Sequence, residues 1–279
     1  MLKSKQIIVI GAVTVLVGVL YSLDIKGLVK PKGERGLKAT TETSAVSVTS
    51  QTVSETGKLT LNANLASEIS KLEEEIKLAS NDEKLSLQKA LAQKWDDVNE
   101  PAPGAFLLEE IAIAENTYKN WLAAGNHFTD AYNNYKDSTA LPTFVGKAIN
   151  AYAKALEINA KSLDAKSGLG AAYVTEGKNP MQGIQLLLGV VKEDPENLNA
   201  NMNLGLFSMK SGQFEKAVNR FKTVISVKES PEVYFYLGTS YENLGDNNDA
   251  IIAYTKSKEL AADPGLAKFV DKKIKELNK

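Results

Sequence analysis

The sequence has no cysteine, which excludes disulfide staples, thiolate nucleophiles and cysteine-ligated zinc. It has one histidine, His127, so no histidine-based acid–base pair can be assembled, and a metal site would need several converging carboxylates. Beside Phe128, that lone histidine reads as a packing residue. Excess charge is missing as well: 33 Lys and Arg stand against 34 Asp and Glu, a net charge of −1. Such a balance gives no broad pull toward nucleic acid, whose binders gather basic residues on one face. There is no G-x-x-x-x-G-K-[ST] phosphate loop, no H-E-x-x-H zinc helix and no G-x-S-x-G elbow. Gly168-Leu169-Gly170 is a fragment of a dinucleotide fingerprint, but no strand precedes it. No long stretch alternates polar and apolar residues, so no sheet is expected. These absences argue against an enzyme, and no cofactor or small-molecule substrate is expected.

Long apolar runs are equally scarce, with one exception. After a short basic tail, residues 1–6, Ile7 to Leu23 reads IIVIGAVTVLVGVLYSL. A membrane-crossing helix needs about 17–25 such residues, so the run is just long enough. No A-x-A-like cleavage site follows it, which favours an uncleaved single-pass anchor over a removed signal peptide, and Tyr21 suits the interfacial belt. Lys3 and Lys5 precede the run; Lys26, Lys30, Lys32, Arg35 and Lys38 follow it. Counted alone, the basic residues put the C-terminal side in the cytoplasm. A short charged amino tail is awkward to translocate, however, and long domains are exported with little regard to charge, which points to a periplasm-like compartment. Residues 24–57, rich in Ser and Thr and poor in aliphatic bulk, read as a flexible linker.

Helical periodicity marks residues 58–136. Leu65, Ile69, Leu72 and Ile76 recur at steps of four and three, with Glu73, Glu74 and Glu75 on the polar side. As neighbours on a helix those glutamates diverge, and they read as a solvated face. Ser80 and Glu83 form a capping-box pattern ahead of Leu87, Leu91, Trp95 and Val98. Pro101 and Pro103 end that helix, and one further helical stretch is expected from about Ala105 to Lys136.

The C-terminal half then repeats itself. Small residues at Ala148, Gly183, Ala217 and Ala250 are spaced 35, 34 and 33 residues apart, each followed four residues later by Tyr152, Leu187, Phe221 or Tyr254. Upstream lie the pairs Leu169-Gly170, Leu204-Gly205 and Leu237-Gly238, and seven residues after each glycine comes another, Gly177, Gly212 and Gly245. A fixed period in this range means stacked supersecondary units, none able to bury its apolar face alone. The first glycines suit the close approach of two helices; the second suit a left-handed helix C-terminus. After the last unit, Leu266, Phe269, Val270, Ile274 and Leu277 share one face opposite Lys272, Lys273 and Lys275, the pattern of a terminal capping helix over residues 263–279.

On these residues the chain resembles the tetratricopeptide repeat (TPR) family. Leu237, Gly238, Tyr241, Gly245, Ala250 and Tyr254 carry the fullest match; Leu204, Gly205, Gly212, Phe214, Ala217 and Phe221 nearly equal it. Leu169, Gly170, Tyr173, Gly177, Gly183, Leu187 and Pro195 match with one extra residue near Asn179-Pro180, and Ala148, Tyr152 and Ala155 match in a second helix only. The resemblance implies an all-α fold, a right-handed TPR-like solenoid of antiparallel helix pairs over residues 137–262. It also implies partner binding on the concave face, which the first helix of each pair lines. Ser167, Ala171 and Val174 would come from the first full unit, Asn199, Met202, Asn203, Leu206 and Met209 from the second, and Glu232, Phe235, Tyr236, Thr239 and Glu242 from the third. Asparagine can grip a peptide main chain, and methionine and phenylalanine give adaptable apolar contact. Family members that clamp a C-terminal carboxylate use Lys, Arg and Asn; only Asn203 stands at a matching position here, so an internal or helical segment is the expected ligand. The chain is similar to membrane-anchored bacterial TPR proteins, some of which assist envelope assembly or quality control. The expectation is a tethered adaptor for protein or peptide partners, the alternative a permanent structural subunit of a membrane-associated complex.

Overall fold

A computed structural model describes residues 48–261 and 263–278. The chain divides into residues 1–45 and 46–279, and the architecture below is that of the second part. The expected anchor, residues 7–23, and most of the linker lie outside the described residues; among these, no helix is long and apolar enough to cross a membrane.

The described residues form helices and no strands. In chain order they are α1 (Ser50–Lys58), α2 (Ala63–Leu78), α3 (Asn81–Asp97), α4 (Pro101–Glu115) and α5 (Tyr118–Asn134); then a 3₁₀ turn (Ser138–Ala140); then α6 (Leu141–Ile158), α7 (Leu163–Glu176), α8 (Pro180–Glu193), α9 (Leu198–Lys210), α10 (Phe214–Val227), α11 (Pro231–Leu244), α12 (Asn247–Leu260) and α13 (Pro264–Leu277). Local chemistry sets the boundaries. Asn62, Thr117, Ser162, Asn197 and Ser230 each accept a backbone N–H of the first turn, and Pro101, Pro180, Pro231 and Pro264 occupy first-turn positions where no donor is lost. Gly177 and Gly245, at φ +77° and +80°, end α7 and α11 in the left-handed region.

Three expectations need correction here. The linker does not reach residue 57: Thr49 and Thr52 form a reciprocal cap and start α1, whose Val53 is buried and whose Gly57 lies against the Trp95 ring. Small residues make that contact, so no apolar period announces it. The single stretch from Ala105 to Lys136 is two helices, because Asn116 turns left-handed (φ +45°) and Thr117 caps a new start. The Ser80 hydroxyl bonds the Glu83 carboxylate (3.0 Å) rather than a backbone amide, so the capping box is not formed.

From α5 onward the helices pack as successive antiparallel pairs, α5–α6, α7–α8, α9–α10 and α11–α12, with α13 following α12. Within the pairs, first helices also touch the next first helix: α5 meets α7, α7 meets α9, and α9 meets α11. The second helices of successive pairs meet weakly at most. First helices therefore line the inner face of an α-solenoid and second helices the outer. One apolar core runs through Phe106, Phe128, Phe144 and Tyr152; another gathers Phe221, Tyr241, Tyr254 and Val270.

A candidate partner-binding face on the first helices

The α5–α6 pair is a full member of the stack, although its first helix gave no repeat pattern. Gly125 of α5 faces the Tyr152 ring of α6 as Gly205 faces Phe221 and Gly238 faces Tyr254: a Cβ at each glycine would lie 2.7, 2.6 and 2.7 Å from the ring. The hydroxyls repeat the correspondence. Tyr152 Oη donates to Asn126 Oδ1 (2.9 Å) and lies 2.9 Å from Thr129 Oγ1, residues one and four after the glycine. Tyr254 Oη lies 3.2 Å from Thr239 Oγ1 and 2.6 Å from Glu242 Oε2, again one and four after the glycine. Burial pushes both phenols well above the ordinary tyrosine range. The pair hid because 23 residues separate Gly125 from Ala148, against 12 or 13 in the other units. Trp121, Ala124, Gly125 and Phe128 carried the spacing all along.

This geometry sorts the inner face by polarity. Where the second helix supplies tyrosine, the first helix answers with polar groups, Asn126 and Thr129 or Thr239 and Glu242. Where it supplies Leu187 or Phe221, which have no hydroxyl to satisfy, the same positions are Ala171 and Val174 or Leu206 and Met209. The α7–α9 section is thus an apolar stretch between two polar ones.

On α9 the residues expected at the face are there. Asn199 is exposed, and Met202, Asn203, Leu206 and Met209 are partly exposed. Asn203 Nδ2 donates to Asn199 O of its own helix (2.8 Å), and among the described residues its Oδ1 has no partner. Met202, Leu206 and Met209, at successive helical turns, rest on the core beside Phe235 and Tyr236. Asn201, which sequence reasoning passed over, is the structural asparagine. Fully buried, it donates to Pro195 O and Asn197 O (2.9 Å each) and accepts from Arg220 (3.0 Å).

The α11 residues and the first-unit residues are less available. Glu232 is exposed and accepts from Tyr236 Oη (3.1 Å), while the Tyr236 ring stacks on Phe221 at 5.8 Å. Phe235 meets Phe269 of α13 at 5.8 Å and Tyr254 at 5.5 Å. Thr239 is bonded to Phe235 O and Tyr254; Glu242 accepts from both Tyr254 and Lys273 (2.7 Å). Burial pushes the Glu242 carboxyl up, but the hydrogen bonds from Lys273 and Tyr254 outweigh it and leave the group below the ordinary carboxylate range. Thus α13 continues the row of first helices, covers part of α11, and places Lys273 at the seam rather than on the far side from its apolar residues. Ser167 and Ala171 are buried, so α7 offers Val174 alone from the expected three. Away from this face, His127 is more than a packing residue: Nε2 lies 2.9 Å from Asp96 of α3 and Nδ1 3.0 Å from Ala123 O. Among the described residues no cluster of His, Asp and Glu could hold a metal ion.

Residues 231–264, which hold α11 and α12, match the family described as "Tetratricopeptide repeat". No curated protein matches the chain. Among solved structures it is similar to "Crystal structure of MamA protein", with 20% identity over 63% of this chain and 90% of that one and a TM-score of 0.45. It is also similar to "MamA 41-end from Desulfovibrio magneticus RS-1", with 20% identity over 63% and 94% and a TM-score of 0.47. A third is "MamA RS-1 ArsTM double mutant", with 20% identity over 63% and 93% and a TM-score of 0.46.

Proposed function

We propose, from the match of residues 231–264 to the tetratricopeptide repeat and from the stacked helix pairs, that the chain is a non-catalytic scaffold that holds an apolar protein segment against α7 and α9. The observation that carries this reading is the unsatisfied stretch between the two tyrosine-bearing pairs. Met202, Leu206 and Met209 form an apolar stripe, α7 with its partly exposed Val174 packs beside α9, and Asn199 and Asn203 stand at the edge of the stripe with polar groups to spare. Thioether and branched side chains adapt to varied apolar surfaces, and the asparagines supply main-chain hydrogen bonds that an extended or helical segment would satisfy. Recognition of a C-terminal carboxylate is not part of the proposal, since no lysine or arginine stands among the face residues of α7 and α9.

The proposal includes a tether. Residues 7–23 anchor the chain in a membrane, and the segment after them lets the helical part hang in a periplasm-like compartment, where it acts in envelope assembly or quality control. The face is tested by capture of partners from crosslinked cells with the wild type, Leu206→Asp and Asn203→Ala, and with Ile252→Asp as a control at a 66%-exposed residue of α12. The two face variants should lose the partners and the control keep them; equal recovery by all would discard the face. The tether is tested by protease added outside spheroplasts, which should digest the helical part. Digestion only after lysis would place it in the cytoplasm instead.

A further inference from the structure

One position of the repeat is filled in three pairs and empty in the fourth. Three residues after the close-packing glycine come Phe128 in α5, Tyr173 in α7 and Tyr241 in α11; in α9 the residue is Ser208. The Tyr241 ring shows what belongs there. It is buried in one apolar cluster with Val218 of the preceding second helix, whose Lys222 ammonium sits 5.5 Å from the ring centroid. The matching residues of the earlier second helix are Ile184 and Leu188: Ile184 shares a cluster with Phe207 of α9, while Leu188 is left 44% exposed. The result is a cleft of about 330 Å³ between α8 and α10. Its floor is Ile184, Leu188, Leu204 and Phe207, and its rim carries Lys216 and Arg220. The cleft shares no residue with the inner face of α9.

The rim has a sign. Among the described residues, no aspartate or glutamate lines the cleft. Lys216 bonds the neutral Gln213, and Arg220 spends one donor on Asn201. Neither cation forms an ion pair among the described residues. A guanidinium has five donors, so Arg220 keeps several for an incoming carboxylate.

The geometry points to a second docking site on the outer face: the cleft takes an aromatic side chain from a protein partner whose neighbouring residues are acidic. The ring replaces the one the other three pairs supply from within, and the flanking carboxylates meet Lys216 and Arg220. Aromatic anchors in pockets of this kind dominate binding between proteins, and charge at the rim sets specificity and encounter rate.

The probe is a fluorescein-labelled peptide of Asp and Glu with one central Tyr, compared by fluorescence anisotropy with the same peptide carrying Ala, against the full-length chain. The Tyr peptide should bind at least about tenfold more tightly than the Ala peptide, with affinity falling as salt rises. Ser208→Tyr fills the cleft from within; it should remove that preference and keep or raise the melting temperature. Lys216→Glu, at an exposed rim position, should weaken the Tyr peptide about tenfold without moving the melt, so the test survives if the larger substitution does not fold. Leu206→Asp on the inner face should leave peptide binding unchanged, which separates this site from the scaffold proposal. Equal binding of the two peptides, undiminished binding by both cleft variants, or loss of binding in Leu206→Asp would overturn the proposal. So would self-association of the chain that Ser208→Tyr abolishes, since the occupant would then be a second copy.

Discussion

Gly125→Ala probes the hidden first pair, because one methyl group should produce opposite effects at two nearby glycines. At Gly125 the new Cβ would lie 2.7 Å from two atoms of the Tyr152 ring. Ordinary carbon contacts are about 3.5 Å, so the ring would have to retreat by about 0.8 Å. It has nowhere to go. On its other side it abuts Gly168, where a Cβ would lie 2.2 Å from the ring, and its hydroxyl is tied to Asn126 and Thr129. Overpacking of such a pinned ring costs about 3 kcal/mol, while alanine returns about 1 kcal/mol of helix propensity, leaving a net loss of about 2 kcal/mol. Gly146 of α6 is the control: a Cβ there meets no atom within 4 Å, so the same substitution should stabilise by about 0.5–1 kcal/mol. Thermal unfolding followed by circular dichroism should show Gly125→Ala melting about 4–8 °C below the wild type and Gly146→Ala slightly above it. If Gly125→Ala also raises the midpoint, α5 does not approach Tyr152 as described and the pair does not belong to the stack.

Other consequences are open to direct measurement. Ser167 has a buried hydroxyl with no hydrogen-bond partner among the described residues, so Ser167→Ala should stabilise by about 1 kcal/mol; a loss of stability in urea unfolding would show that the hydroxyl is satisfied. Asn201→Ala takes a donor from the Pro195 carbonyl and an acceptor from the Arg220 guanidinium and should cost about 2 kcal/mol, whereas Asn203→Ala, on the same helix but outward, should stay within about 0.5 kcal/mol. The Glu242 carboxyl is held below its ordinary 4.5, so the α11–α13 link stabilises at higher pH and is lost as pH falls through the lowered value. Amide protection in residues 264–277, taken relative to the intrinsic exchange rate at each pH, should fall on acidification toward that value, and Lys273→Ala should remove much of this pH dependence. Protection in α13 that stays constant across that range would contradict the link.

The solenoid was legible wherever the repeat kept its register. Gly170, Gly205 and Gly238, with the turn glycines behind them, announced helix pairs because those positions admit no side chain. The α5–α6 pair was masked by its longer connection through residues 135–140, although Trp121, Ala124, Gly125 and Phe128 kept the spacing within the helix. Helix α1 was invisible for another reason: it is buried through Val53, Ser54 and Gly57, a single large apolar residue beside two small ones, which leaves no apolar rhythm. Half of the expected face was where the pattern put it, on α9. The α11 half was partly covered because a pattern confined to one repeat cannot say which neighbour lies over it; Phe269 and Lys273 decide that from outside. Ser208 was legible in hindsight as the one member of its column without a ring.

The most direct test of the account is photo-crosslinking in living cells with a photoreactive residue placed at Met202 of the inner face and, separately, at Ile113, a 64%-exposed residue of α4. A scaffold that grips protein segments against α7 and α9 should give discrete protein adducts at Met202, lost when Leu206→Asp is added, and none at Ile113. Adducts at Ile113 with a silent Met202, or Met202 adducts indifferent to Leu206→Asp, would contradict it.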